Sequence, residues 1–127
     1  MADLTTVDGA QITFKPDAVV AVTDHDANTG VAETCVYGIT KGVLHIAEPV
    51  IGFLQRIGVT ANFAQLTRPN GSPIWINGAS VSSLRAPQPD EYVAGVNTII
   101  SAGSLTQGVT ETPATAKAAI NVHGGKL

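Results

Sequence analysis

Apolar and polar residues alternate near the start of each half of the chain, as in a β-strand that buries one face. The alternating sets are Ile12 and Phe14 against Thr13 and Lys15, and Ile74 and Ile76 against Trp75 and Asn77. Each set follows a dipeptide, Asp8-Gly9 or Asn70-Gly71, that is typical of a tight two-residue hairpin turn. A hairpin is therefore predicted to open each half.

Further apolar stretches predict three more strands and one short helix in each half. They give third strands over 19–22 and 81–84, second hairpins turning at 40–42 and 102–104, and helices over 49–58 and 113–121. Pro49 and Pro113 suit a first helical position, and Thr112 suits a cap. Gly58 can end the first helix. The second helix has a weak apolar face made mainly of alanine, so we expect it to pack closely against a neighbour.

The two halves also resemble each other when the chain is shifted against itself by 62 residues. The shift aligns Leu4, Thr5, Gly9, Ile12 and Val19 with the identical Leu66, Thr67, Gly71, Ile74 and Val81. After one further residue of shift, Ile46, Glu48 and Ile57 align with Val109, Glu111 and Ile120. This self-similarity predicts a degenerate tandem duplication.

The predicted fold class is α+β and mostly β. It consists of two repeated units, 1–60 and 61–127, each with about five short antiparallel strands and one short helix. Because a sheet of about sixty residues buries little surface alone, we expect the units to form one compact body with pseudo-twofold symmetry.

Charge is sparse, and it is unevenly divided between the two halves. Charged residues make up 13% of the 127 residues and the net charge is -3. Residues 1–62 carry three basic and seven acidic side chains, a net charge of -4, whereas residues 63–127 carry four and three, a net charge of +1. The chain therefore lacks the basic footprint of a protein that grips phosphate backbones.

No stretch of the sequence has the pattern of a secretory signal or a spanning helix. We therefore expect a cytoplasmic protein, in the host-cell cytoplasm or the virion if a phage encodes it, without membrane partners. Cys35 is the sole cysteine, so no intramolecular disulfide can form. It lies in an apolar run and is interpreted as a small buried residue.

Few side chains suggest catalysis or metal binding. Asp24, His25 and Asp26 are consecutive and precede turn residues, so they are interpreted as a solvated loop rather than a metal site. No zinc-ligand spacing or phosphate-binding loop is present, and no cofactor is predicted. An enzyme that uses Cys35 with a histidine stays open, because such partners need to meet only in space.

Glu48 and Glu111 occupy matched places just before the two predicted helices. Paired carboxylates can act as acid and base. The favoured interpretation is structural, because an acidic side chain stabilises the positive end of the helix dipole and the free N–H groups there.

Trp75 is predicted to lie on the outer side of its hairpin, with Arg68 and Arg85 nearby. Sheets bind single-stranded nucleic acid through exposed aromatic residues and a modest basic rim. An exposed tryptophan on a nearly neutral sheet fits a protein-contact patch at least as well. Contact with protein is therefore favoured over nucleic acid.

The segment FAQLTRPNGSPIWINGASVSSLRAP, followed by NTIISAG and VTETP, resembles the small FlbD-like proteins associated with flagellar and swarming motility. The pattern is carried by Leu66, Thr67, Asn70, Gly71, Val109 and Glu111, and more faintly by Leu4, Thr5, Asp8, Gly9, Ile46 and Glu48. The resemblance implies no catalytic residue. The chain departs from the pattern by being doubled and by its polar tail.

The leading functional hypothesis is a non-enzymatic binding or assembly protein that acts through protein contacts or self-association, as in a homo-oligomer. Two alternatives stay open. One is a regulatory module that binds single-stranded nucleic acid through Trp75, Arg68 and Arg85. The other is a small enzyme that uses Cys35 or the Asp24-His25-Asp26 loop.

Overall fold

A computed structural model describes residues 1–24, 34–90 and 94–127, and within these ranges it contains ten strands and two α-helices. The strands are β1 (Ala2–Thr5), β2 (Gln11–Phe14), β3 (Ala21–Asp24), β4 (Thr34–Tyr37), β5 (Leu44–Ile46), β6 (Phe63–Thr67), β7 (Pro73–Asn77), β8 (Val81–Arg85), β9 (Thr98–Ala102) and β10 (Leu105–Val109). The helices are α1 (Val50–Ile57) and α2 (Pro113–Val122). The predicted mostly β chain with two short helices is confirmed.

The strands form three antiparallel sheets. The central sheet has five strands in the order β5-β4-β3-β7-β6, so it combines three strands from the first half with two from the second. β8, β9 and β10 form a second sheet, and β1 and β2 form a third. The halves of the chain are thus joined by the antiparallel pair β3–β7, in which Val22 lies opposite Trp75.

Both faces of the central sheet are buried, each in its own hydrophobic core. Successive side chains of one strand point to opposite faces, so one strand can supply both cores. The first core comprises Leu4, Phe14, Val19, Val22, Val36, Ile46, Val50, Phe53, Leu54, Ile57, Val59, Phe63 and Trp75. The second core comprises Ala21, Ala64, Leu66, Ile74, Ile76, Val81, Ile100, Ala102, Val109, Ala116 and Ile120. β3 and β7 each contribute side chains to both cores.

The helix α1 packs on the first core through an apolar stripe at helical spacing. Its buried residues are Val50, Phe53, Leu54 and Ile57. Fully burying a side chain such as that of Phe53 is worth about 1.5–3 kcal/mol. Gly58 ends the helix with a φ of 80°, as predicted, because the left-handed region carries little penalty for glycine. Pro49 is the N-cap rather than the first helical residue, a difference of one position from the prediction.

The helix α2 begins as predicted and packs closely against the turn between β7 and β8. Thr112 caps it by accepting a hydrogen bond from the N–H of Thr115 at 3.4 Å. Only Ala116 and Ile120 of this helix are buried. At Gly78, between β7 and β8, an added Cβ would lie 2.4 Å from the carbonyl oxygen of His123 and 2.7 Å from that of Ile120. The close packing expected of the alanine-rich helix therefore depends on Gly78.

Among the described residues, each half has two strands, a 3₁₀ turn, three strands and a helix in the same order, and a further 3₁₀ turn, Thr60–Asn62, lies between α1 and β6. The strand pairing differs. A twofold axis that pairs β3 with β7 would also pair their counterparts β8 and β2, and no such pair forms among the described strands. The pseudo-twofold packing is therefore not confirmed, and the boundary at residues 60 and 61 stays a prediction.

We expect Gly78→Ala to lower the free energy of unfolding by about 1–3 kcal/mol, because its methyl group would overlap the last turn of α2. Denaturant unfolding followed by circular dichroism measures the change. Gly42→Ala is the matched control, since an added Cβ there meets nothing within 4 Å, and it should be near neutral. Equal losses in both variants would contradict the packing argument.

Candidate functional site

Trp75 is buried in the first core, so its prediction as an exposed contact residue is wrong. Its side chain does point to the face opposite Ile74 and Ile76, as the alternation requires. That face is covered by α1 and by the hairpin of β1 and β2, which leaves 9% of the residue exposed. The sequence pattern could not reveal this, because the covering residues come from the other half of the chain.

The predicted nucleic-acid constellation is not assembled. Arg68 is half-buried, and its Nη2 donates to the main-chain oxygen of Asp24 at 3.2 Å. Arg85 is exposed on β8, which packs on the second core, whereas Trp75 lies in the first core on the other side of the central sheet. A base cannot stack on a tryptophan buried in this way. The three residues therefore do not share a surface.

Cys35 meets a histidine, as the enzyme hypothesis requires. β4 pairs with β5 so that Cys35 lies directly opposite His45, and the Sγ to Nδ1 distance is 3.5 Å. Cys35 is 7% exposed and His45 is half-buried. The thiol can donate to an imidazole whose proton resides on Nε2, the arrangement from which a thiolate and an imidazolium form.

Of the predicted Asp24-His25-Asp26 loop, only Asp24 lies within the described residues. Asp24 is exposed at the end of β3, and its main-chain oxygen accepts from Arg68. His25 and Asp26 lie outside the described residues. Among the residues that the structure does describe, no group of three or more His, Cys, Asp or Glu side chains is placed to hold a metal ion.

The two hairpin loops share one geometry, but they are not the predicted two-residue turns. The Thr6 N–H donates to the Ala10 oxygen at 2.8 Å, which leaves three residues in the loop, and the Arg68 N–H donates to the Ser72 oxygen at the same distance. Within these two loops only Gly9 and Gly71 take the left-handed conformation, with φ of 96° and 88°. Three-residue loops of this type need glycine in that place.

Asp8 and Asn70 stabilise these loops through side-chain hydrogen bonds. Asp8 accepts from Thr6 Oγ1, and this bond lowers the pKa of the Asp8 carboxyl below its ordinary value. Asn70 Oδ1 accepts from the N–H of Ser72 at 3.0 Å and from its hydroxyl at 2.8 Å. Their roles as turn residues thus rest on side-chain acceptors rather than on positive φ.

Glu48 and Glu111 do not cap the two helices with their side chains, which corrects the prediction. Glu48 forms an ion pair with Arg56, at 2.7 Å and 2.8 Å, and raises the pKa of that guanidinium. Glu111 instead accepts from the N–H and the hydroxyl of Thr67, both at 2.9 Å. One carboxylate therefore holds Arg56, and the other ties the end of β6 to the start of α2.

The Glu48–Arg56 pair borders an open cleft of about 560 Å³ beside β1. Asp3 also lines this cleft, so two carboxylates and one guanidinium face it. Both guanidinium bonds of Arg56 go to Glu48, and its cation is therefore already paired. The cleft has no spare positive charge for an anionic ligand among its described lining residues.

Asn77 is a structural residue that the sequence reasoning missed. It is 5% exposed, and its Nδ2 donates to the Val19 oxygen at 3.0 Å. Its N–H donates to the Val20 oxygen at 2.8 Å, and its Oδ1 accepts from the Ala79 N–H. One buried amide thus locks β7 of the second half against the chain just before β3. The available signal was a polar residue at the end of an apolar strand.

β2 and β8 are among the described strands that lie at sheet edges, and both expose main-chain groups. Bonded pairs alternate along an antiparallel ladder. Because Thr6 and Ala10 form a bonded pair, Thr13 is a non-bonded partner of Asp3, and its N–H and C=O face away from β1. On β8, Leu84 lies opposite Ile100, whose main-chain groups face β10, so the groups of Leu84 also face outward. Such edges can accept another strand.

Comparisons of the chain with protein-family models, curated proteins and solved structures give no match. In the part of the chain that the structure describes, neither helix is long and apolar enough to cross a membrane. The structure therefore establishes a fold class and no family: a mostly β, α+β chain whose halves are joined by strand pairing.

We expect Glu111→Ala to lower the free energy of unfolding by about 1.5–3 kcal/mol, because two donors of Thr67 would lose a charged acceptor. Glu48→Ala should cost less than about 1 kcal/mol, since it removes an ion pair whose side chains are 43% and 36% exposed. Chemical denaturation of both variants under one buffer makes the comparison. Equal costs would show that the Glu111 contact contributes no more than a surface ion pair.

Proposed function

We propose that the chain is a non-enzymatic binding or assembly protein that acts through protein–protein contacts or self-association. In this proposal it consists of two FlbD-like units, 1–60 and 61–127, that arose by duplication. The motility association of that family makes a motility-related assembly one setting to test, and the apolar, charge-poor composition makes a phage-related assembly the other. The duplication is supported by two matched structural features.

One matched feature is a pair of buried threonines. Thr34 Oγ1 donates to the Glu48 main-chain oxygen, and Thr98 Oγ1 donates to that of Glu111 at 2.7 Å. Both threonines begin the fourth strand of their half, and both bonds reach the residue that precedes the cap of the helix. The three-residue hairpin loops are the other matched feature.

The observation that carries the functional proposal is the way the halves bind each other. β7 adds to the edge of β3, and side chains from each strand enter the core of the other half. Trp75, from the second half, lies in the first core, and Ala21, from the first half, lies in the second core. A unit that binds a related unit by strand addition has the means to bind another protein by the same route.

The test is sedimentation velocity of the purified chain over a hundredfold range of concentration. We expect the weight-average mass to rise above the 13.0 kDa of one chain as concentration increases. A constant mass of one chain, together with no partner that co-purifies in stoichiometric amount, would overturn the proposal.

The Cys35–His45 pair favours a second candidate function, a small enzyme with a thiol nucleophile. In that case the Sγ proton moves to Nδ1 of His45, and the thiolate attacks a substrate carbonyl carbon, whose π electrons move onto the carbonyl oxygen. The low exposure of Cys35 weighs against it, since a substrate must reach the sulfur.

Alkylation of Cys35 by iodoacetamide separates the two functions, because the chain has no other cysteine. We expect the native protein to react at least about tenfold more slowly than the urea-unfolded chain at pH 7, as a buried structural thiol does. His45→Gln should leave this rate unchanged. A native rate above the unfolded rate, lost in His45→Gln, would favour the enzyme instead.

A further inference from the structure

The edge strands β2 and β8 are the counterparts of the two strands that join the halves. The shift of 62 residues that aligns the halves places β2 on β7 and β8 on β3. β3 and β7 pair with each other in the central sheet, whereas β2 and β8 end two separate sheets. The chain therefore forms one junction between its halves, β3–β7, and leaves the two corresponding strands, β2 and β8, unpaired with each other.

One main-chain hydrogen bond of the β3–β7 junction has no counterpart between β2 and β8. The Asn77 N–H donates to the Val20 oxygen where the halves meet. The residues related to these two by the 62-residue shift are Lys15 and Ser82, and the Lys15 N–H does not donate to the Ser82 oxygen within one chain. Lys15 and Ser82 are both exposed.

We propose that β8 of one copy of the chain pairs with β2 of a second copy, antiparallel and in the register of β3–β7. This inference rests on the proposed function and names its partner as a second copy of the same chain. The register carried over from Ala21↔Ile76 and Val22↔Trp75 sets Ser83 of one copy opposite Phe14 of the other, and Leu84 opposite Thr13. The outward main-chain groups of Thr13 and Leu84 then bond to each other across the junction.

The side chains make this junction weaker than the internal one. Thr13 takes the place that Trp75 has in β7, and Ser83 takes that of Ala21 in β3. Both are exposed in a single copy, which keeps the edge polar. The association is therefore reversible and depends on protein concentration, whereas β3–β7 is part of the fold.

The two halves that meet in this junction carry opposite net charges. The junction brings the first half of one copy, with a net charge of -4, to the second half of another, with a net charge of +1. Each copy has one β2 edge and one β8 edge, so reciprocal pairing closes a dimer with two identical junctions. Successive one-way pairing gives a ring or an open array of copies.

The first test compares two Thr→Pro variants by sedimentation velocity. Thr13→Pro removes an outward N–H without breaking the β1–β2 ladder, and it should raise the dissociation constant of self-association at least about tenfold. Thr106→Pro is the matched control: Thr106 is an exposed threonine on the edge strand β10, opposite Ser101, and its N–H also faces outward. Self-association should persist in the control. Equal effects would overturn the proposal.

The second test is cross-linking, which does not depend on a proline being tolerated. Two separate variants, Thr13→Cys and Leu84→Cys, are mixed under mild oxidation, and mass spectrometry identifies the disulfide. The opposed Cα atoms of a bonded antiparallel pair lie about 5.5 Å apart, within disulfide range. We expect a 13–84 cross-link between copies in excess of that from Thr106→Cys mixed with Leu84→Cys.

The outcomes distinguish this inference from the function on which it rests. Absence of the cross-link in a chain that still self-associates would overturn the β2–β8 junction and leave the assembly function standing. Formation of the disulfide within one chain of the double variant Thr13→Cys/Leu84→Cys, in place of the cross-link between copies, would also overturn it. A chain that stays monomeric and has no stoichiometric partner would overturn both.

Discussion

The pairing of β3 with β7 is the interaction on which the rest of the structure depends. It connects strands whose paired residues Val22 and Trp75 are 53 positions apart, and it turns two small sets of strands into one sheet. Because each strand presents alternate residues to opposite faces, the same pair of strands supplies both cores. Removing this pairing would expose apolar side chains on both faces of the central sheet at once.

Two sets of polar contacts follow from this constraint. The buried Asn77 reaches the main chain at Val19 and Val20, where the two halves meet. The half-buried Thr67 and Glu111 join β6, at one edge of the central sheet, to the start of α2. An amide, hydroxyl or carboxylate that is removed from water is costly unless it is hydrogen-bonded, so these positions help to specify one alignment of the strands. The apolar cores alone would tolerate slippage more easily.

Local structure could be predicted from the sequence because its causes are local. The stripe from Val50 to Ile57, the glycine that ends α1 and the threonine that caps α2 each act within a few residues. The alternation around Trp75 also predicted its direction correctly. Its burial could not be predicted, since the covering helix and hairpin belong to the other half of the chain.

The hydrogen-bond partners of individual side chains could not be predicted from the sequence either. Glu48 and Glu111 occupy matched positions, yet one finds Arg56 eight residues along the chain and the other finds Thr67 across the fold. The helix N-terminus that both precede offered a sufficient local explanation for each carboxylate. Competition from a nearer cation or a better-placed donor depends on the tertiary fold. The Cys35–His45 contact is similar, because only the pairing of β4 with β5 brings these residues together.

The order in which the chain is synthesised gives the β3–β7 junction a kinetic consequence. At ribosomal rates the 53 residues that follow Val22, up to and including Trp75, take roughly 3–10 s to be synthesised. During that interval the nascent first half lacks the tryptophan that completes its core, and the edge of β3 has no partner. On a polysome, neighbouring nascent chains present the same bare edge to one another. Any aggregation of nascent chains through this edge would therefore begin with the first half, before the second half exists.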